Sequence, residues 1–494
     1  SAMSTTEKSS PLMTAPDDGQ QLLVPKEDLE LSLKDQSDQL SNLESGKSLS
    51  EEGETCLKHK FRYVILILTM LCLTFTRSNE LSFNFTVICM NMNTTEGHKE
   101  APVQMTMDEI SKIMGSGGLG ALISVLPLVH LLHNFGPRSV FSILLFLSGL
   151  ATIALGPLAR ISPLWMLPGR LIQGFALSTV MPLTGAVSAE WAPLTEIGKF
   201  VTMLSAAGQL SQILTMPMSA FLCTESGWSS VYTAHGILAI IGAFGFLTLY
   251  GNSAKTHPCV SEREFEIISQ GSKQRPKRGD AVPYWDIAKT KSVWAVWIAF
   301  FGNAIGFQLI VQFMPTFLNK VLFITVRRTG FFSIIPPITQ LVVKVIAGYA
   351  SDRIPLPEKF KLRLFNSAAQ IGCAMFLLPL GFVGVGDGTF AIVCFSASIS
   401  CLGLVSCGSM KSATLIARSY THFVMAIVQM IVCISMLFVP FMVAAIAPDN
   451  TVDQWRWVFI VVFLILVMTN TVFCLLCGAE PEPWALAQKK QVLR

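Results

Sequence analysis

Residues 455–478 read WRWVFIVVFLILVMTNTVFCLLCG, with Arg456 as the only charge. The apolar residues run unbroken instead of alternating. The stretch exceeds the ~20 residues that carry one helix across a bilayer core. Similar runs recur along the 494 residues, of which 51% are apolar and 14% charged. The mean hydropathy is +0.54. Soluble domains carry roughly a quarter charged residues. The composition therefore excludes a cytosolic enzyme, a disordered protein and a secreted disulfide scaffold, and defines an all-α polytopic membrane protein. The net charge of +4 gives no argument for a nucleic-acid partner.

Working outward from that run, at ~35 residues per helix and loop, the chain beyond residue 60 holds about twelve spans. They are read at 62–90, 110–132, 139–158, 163–190, 197–223, 229–251, 292–318, 330–350, 364–386, 389–411, 419–446 and 455–478. The polar stretch 252–291 divides them six and six. The expected organisation is a disordered tail (1–60, with Ser1-Ala2 ahead of Met3 set aside), a first six-helix bundle (61–251), a linker (252–291), a second bundle (292–478) and a tail (479–494). The first tail has no apolar stretch of the signal-peptide kind. In the linker, Ser261-Glu262-Arg263-Glu264 has the capping-box spacing and predicts a short amphipathic surface helix. The basic run Lys273, Arg275, Lys277, Arg278 follows it.

Lysine and arginine in short loops set orientation. With the N-terminus in the cytosol, the inner loops hold Arg138, Lys199, the linker, Arg353, Lys359, Lys361, Arg363 and Arg418, and the last tail adds Lys489, Lys490 and Arg494. Lys320, Arg327 and Arg328 run against the rule. Asn93-Thr94-Thr95 is a glycosylation sequon in the first outer loop, whereas Asn84-Phe85-Thr86 falls inside a span. Of the twelve cysteines, most sit in apolar runs, and none has metal-ligand spacing. Cys89 and Cys223 both fall near the outer face, which leaves one bridge open.

The halves echo one another. His133-Asn134-Phe135-Gly136-Pro137-Arg138 follows the second span and Gly348-Tyr349-Ala350-Ser351-Asp352-Arg353 the eighth, which suggests a parallel repeat. Further strings are Arg62-Tyr63 and Arg77-Ser78-Asn79 in the first span, Trp191-Ala192-Pro193 with Glu196, and Gly227-Trp228-Ser229-Ser230-Val231-Tyr232. Later come Pro448-Asp449-Asn450-Thr451-Val452 with Trp455, and Trp484-Ala485. In this order the chain resembles the anion–cation symporter family of the major facilitators, which includes sialin, vesicular glutamate transporters and type I sodium–phosphate cotransporters. The resemblance covers residues 60–486. It implies a major facilitator fold of twelve transmembrane helices in two six-helix bundles. It also implies a secondary active transporter that moves an organic anion by alternating access, coupled to protons, sodium or membrane potential.

Charges inside spans need a reason, because each costs at least ~2.5 kcal/mol at mid-bilayer. Arg77 and Arg170 fall at similar depth and match arginines of the family pattern, so the resemblance makes them a substrate-anion pair. Asn303 stands at a third substrate position, where relatives carry Arg or Tyr. Glu80, one turn from Arg77, reads either as a fixed partner or as a proton-coupling carboxylate. Lys344 and Lys411 read as cavity cations or as side chains snorkelling to the near water. Asp352 and Arg353 resemble the cytosolic gate of major facilitators. Gly115, Gly117, Gly118 and Gly120 predict a close helix contact. Acids found in proton-linked relatives are missing after Gln173-Gly174 and around Ser412-Ala413-Thr414-Leu415.

In the first tail, Asp18 with Leu22 and Leu23 fits an acidic dileucine pattern, readable by a sorting adaptor and favouring an endolysosomal or vesicular membrane over the plasma membrane. No Walker motif, catalytic triad or metal site is present, so no enzyme and no cofactor is expected. Partners are then a small anion, a coupling proton or sodium ion, and lipid. Two other readings stay open: a transporter-like sensor or scaffold without net transport, and a carrier of a neutral or cationic solute with Arg77 locked by Glu80.

Overall fold

The computed structural model describes residues 60–91, 100–193, 196–269, 283–384 and 386–486. Asp18, Leu22, Leu23, Asn93, the basic run from Lys273 to Arg278, and Lys489, Lys490 and Arg494 lie outside the described residues, as do the side chains of His133 and Asp352.

Among the described residues, eleven helices are long and apolar enough to cross a membrane. In chain order with the fifth pass they are α1 (Phe61–Met90), α2 (Met107–Leu128), α3 (Asn134–Ile161), α4 (Pro163–Trp191), α5 (Ile197–Ser205 continuing as Ala207–Glu225) and α6 (Trp228–Leu249). The second half has α7 (Lys291–Val321), α8 (Val326–Ser351), α9 (Glu358–Phe382), α10 (Gly388–Ala417), α11 (Thr421–Ile446) and α12 (Val452–Leu476). α5 is less apolar than the others because it carries Gln209, Ser211, Gln212 and Thr215, which turn inward and are buried. We call the face where α1 begins near and the face where it ends far.

Helix ends follow capping chemistry more closely than apolarity. At α2, Glu109 N donates to Thr106 Oγ1 while the Glu109 carboxylate accepts from Thr106 N, and Thr451 and Gln454 repeat this at α12. α9 starts at Glu358, six residues before the apolar run at 364, because Glu358 and Lys361 pair within its first turn at the water boundary. Between α2 and α3 the chain turns at Gly136, whose φ is +78°. Asn252 fills the space a side chain would need there, and its Oδ1 accepts from Arg138 N at 2.9 Å.

The glycines of α2 serve two partners. A Cβ on Gly118 would stand 2.7 Å from Leu437 N of α11, and one on Gly120 would stand 2.3 Å from Leu171 O of α4. Gly174 of α4 answers, with a Cβ there falling 2.1 Å from Gly117 O. Only absent side chains allow these backbones to touch. Gly174→Ala must push α4 off α2, and its expected cost is about 2–3 kcal/mol, typical of overpacking. A lowered melting midpoint of the purified protein would register it. A midpoint equal to wild type would show that the two helices are not in this contact.

Apolar packing differs between the faces. At the far side one continuous core joins both halves, running from Leu81, Phe83 and Phe85 of α1 through Phe313 and Phe317 of α7 to Trp455 and Phe459 of α12. On the near side the cores are separate: one holds Ile65, Phe141, Trp191 and Phe246, the other Trp297, Ala369, Ile416 and Phe473. The halves are thus closed together at the far face. At the near face α5 and α8 still meet, where Gln209 Nε2 donates to Gln340 Oε1 at 3.0 Å and Lys344 Nζ to Ser205 Oγ at 2.9 Å. At the far end Cys89 of α1 and Cys223 of α5 are disulfide-bonded.

The segment after α6 is fastened to the near end of the first half. His257 packs on Phe61 and Trp191, Ala254 N donates to Glu190 Oε1, and the predicted surface helix forms as Glu262–Ser269. Half of its capping box is made: Glu264 N donates to Ser261 Oγ, while the buried Glu264 carboxylate accepts from Arg62 N at 2.9 Å. Arg62 also lies 3.4 Å from Glu196, to which Tyr63 donates its hydroxyl.

Candidate functional site: the charged centre of the helix bundle

The middle of α1 is polar against expectation for a membrane helix. Ser78, Asn79, Glu80, Ser82 and Asn84 are all buried. Asn79, Glu80 and Ser78 find partners on α3, α4 and α5, while Ser82 Oγ donates to the Asn79 carbonyl of its own helix. Asn79 Nδ2 donates to Ser148 Oγ at 3.0 Å, and Ser78 shares a hydrogen bond with Thr215. Gln173 Nε2 donates to Thr152 Oγ1 at 2.7 Å.

Arg170 sits within this network with no exposure to solvent. Its Nη1 donates to the Glu80 carbonyl at 2.8 Å and to Gln173 Oε1 at 2.7 Å, and its Nε donates to the Ile113 carbonyl at 3.3 Å. Its Nη2 stands 3.6 Å from Glu80 Oε1. The Phe83 ring and Gly117 close the remaining sides. A buried guanidinium needs this much company, since an uncompensated charge there costs several kcal/mol. Arg170 therefore ties α1, α2 and α4 together.

Arg77 is placed differently. It lies about 24 Å along α1 from Phe61 at 1.5 Å per residue, half-buried, with no hydrogen bond or ion pair among the described residues. Its electrostatic neighbours are Glu80 and, across the seam between halves, Cys433 of α11. Cys433 comes one turn before Met436 and Leu437, where Gly117 and Gly118 close the far side. Counted from the near face, Arg77 thus occupies the last level before that closure. Glu80 pairs with Arg170 and not with Arg77, so the two arginines do not stand as a matched pair: one is spent on structure, one is unspent.

Asn303 of α7 is half-buried and its Oδ1 has no partner. Lys344 is partly buried and bonded to Ser205, at the C-terminal end of the first α5 segment, where helix carbonyls favour a cation. Lys411 is 3.3 Å from Glu358 of α9, an ion pair inside the second half. Arg353 lies over the Tyr349 ring at 4.1 Å. The structure thus sets Glu80 against Arg170 with Arg77 nearby, and engages Lys344, Lys411 and Arg353 elsewhere, with Ser205, Glu358 and the Tyr349 ring. Sequence reasoning missed Thr316, Ser205 and Gln209. An i,i+4 polar series on α7 (Gln308, Gln312, Thr316, Lys320) was the signal that could have found the first. Among the described residues no group of side chains could hold a metal ion.

A fold of this kind, with a charged centre at the seam of two bundles, defines a membrane carrier. The chain belongs to the Major Facilitator Superfamily, whose model matches residues 65–440. Its relatives are where the sequence resemblance put them, among the anion–cation symporters. Sialin of Homo sapiens is 26% identical over 386 residues, 76% of each chain. Sodium-dependent phosphate transport protein 1 of Mus musculus is 24% identical over 444 residues, 86% of this chain and 95% of the mouse protein. Vesicular glutamate transporter 1 of Xenopus laevis is 21% identical over 87% of this chain and 77% of its own. Among solved structures a D-xylose–proton symporter superposes with a TM-score of 0.62 at 16% identity, covering 85% of this chain and 99% of that one, a likeness of fold. The chain is a secondary active transporter working by alternating access.

Proposed function

We propose that the transporter carries a small organic anion that binds at Arg77. The observation that carries this reading is a guanidinium at mid-membrane with no hydrogen bond or ion pair among the described residues, beside a second one that is hydrogen-bonded and ion-paired within the bundle. An unpaired charge at that depth calls for a mobile counter-charge. The names of the phosphate and glutamate transporters among the relatives support an anion, while the absence of family carboxylates in α4 and α10 leaves proton, sodium and membrane potential as drivers. Glu80 holds Arg170 in place and shapes the field at Arg77. The reading in which Glu80 locks Arg77 loses support from the pairing found here.

In this reading the near face is cytosolic, as the basic loops support, and the far closure with separate near cores is an inward-facing state. The two bundles (61–251 and 292–478) move against one another, with residues 250–269 riding on the first. Asn93 then faces the outside as a glycosylation site, and the tail with Asp18, Leu22 and Leu23 directs the protein to endolysosomal or vesicular membranes. The test is uptake of radiolabelled glutamate or phosphate into proteoliposomes under an imposed proton, sodium or voltage gradient. Gradient-dependent accumulation is expected for one anion. Saturable binding of both without flux under any gradient would make the protein a ligand sensor.

A further inference from the structure

At the far face, in the seam between halves, lies a cavity of about 270 Å3 lined by α1, α2, α7 and the turn between α11 and α12. Lys320 and Thr316, both on α7, share its wall. Lys320 is only partly exposed, and its Nζ donates to the Asn91 carbonyl at 3.0 Å. No carboxylate among the described residues lies within ion-pair distance of it. An ammonium has three donors, so two remain. Thr316 is 6% exposed, and its Oγ1 has no hydrogen-bond partner. The acid on the rim, Asp449, is occupied on the outer side: its carboxylate accepts from Gln454 Nε2 at 3.0 Å, and its amide donates to Gln454 Oε1. Asn450 also lines the cavity, with its Oδ1 accepting from Trp455 Nε1. Lys320 lies in a π-helical turn, Phe317–Val321, that ends α7. Such turns widen a helix locally and recur at functional sites.

We propose that this cavity is an outer binding site for a small oxyanion, a carboxylate or a phosphate, held by the Lys320 ammonium and the Thr316 hydroxyl. Two unmet donors one helical turn apart, one of them charged, facing a single pocket, match the two oxygens of such a group. The volume lies below that of drug-sized pockets and suits a small solute. Below Thr316, Gln312 and Gln308 continue the series, hydrogen-bonded to each other at 3.3 Å. Gln308 lies about 25 Å along α7, the level of Arg77 on α1. The outer site is thus the far end of a polar track that leads to the central guanidinium, and this role on the path rests on the anion-transport reading above.

The test uses the full chain in lipid nanodiscs and follows acylation of Lys320 by a water-soluble active ester, read by peptide mass spectrometry. Phosphate or glutamate at ten times its dissociation constant is expected to slow labelling about tenfold at matched ionic strength, by mass action. Thr316→Val, with one hydrogen bond removed, is expected to weaken that protection about tenfold. Arg77→Ala is expected to keep it. A wild-type labelling rate unchanged by either anion, or slowed equally by chloride, would overturn the site. Protection lost in Arg77→Ala and untouched by Thr316→Val would overturn it too, since the anion would then act from the centre. Protection retained alongside normal transport by Arg77→Ala would uphold the outer site and sink the central one.

Discussion

Arg77→Ala is expected to abolish uptake, with kcat/KM for the transported anion falling about 30- to 1000-fold. That range corresponds to roughly 2–4 kcal/mol, within what is lost when one partner of a desolvated charge pair is removed. Arg77 has no hydrogen bond or ion pair among the described residues, so its removal leaves no orphaned protein group. The protein should therefore fold and reach the membrane normally. Arg77→Lys is expected to recover only part of the activity, because an ammonium lacks the fork that grips a carboxylate or phosphate by two parallel bonds. Initial rates in proteoliposomes, with folding checked by size-exclusion profile, make the measurement. Wild-type anion flux in Arg77→Ala would remove the central site as described.

Glu80→Gln is expected to act on the fold. Glu80 is 6% exposed, and its carboxylate is the only one within 4 Å of Arg170 among the described residues. Removing it leaves a buried guanidinium with carbonyl partners alone, and loss of one member of a buried pair costs about 3–5 kcal/mol. The lower end is expected, since the Glu80 carbonyl, Gln173 and Ile113 stay in place. A double replacement, Glu80→Leu with Arg170→Met, should be less harmful than Glu80→Gln alone, because neither charge is then stranded. Thermal denaturation of the three variants decides the matter. If Glu80→Gln keeps wild-type stability while uptake loses its dependence on a proton gradient, Glu80 is a coupling group and not a structural one.

The spans were legible because a bilayer demands long apolar runs, and even α5 was found despite its inward-turned glutamines. Its flanks and its place between two clear helices sufficed. The start of α9 was less legible, since Glu358 and Lys361 look like loop until their mutual pairing is seen. For the site, a sequence shows neighbours along one helix but not across helices. Glu80 follows Arg77 by three residues and so suggested a pair, yet its partner comes from ninety residues further on, brought in by the glycine contact of α2 with α4. Lys411 likewise looked like a cavity cation because Glu358 is remote in the chain. Lys320 had been only an exception to the charge rule for loops. It gains a meaning once the π turn and Thr316 set it beside a pocket.

The bare strip of α2 has a mechanical consequence. Where Gly118 meets the backbone of α11 the glycine offers no side chain of its own, while Phe441, Leu437 and Met436 of α11 lie over Gly115 and Gly117 on either side. Rocking of one bundle over the other would then pivot on this backbone contact, and a bulky residue placed at Gly118 would wedge α2 away from α11 at the pivot.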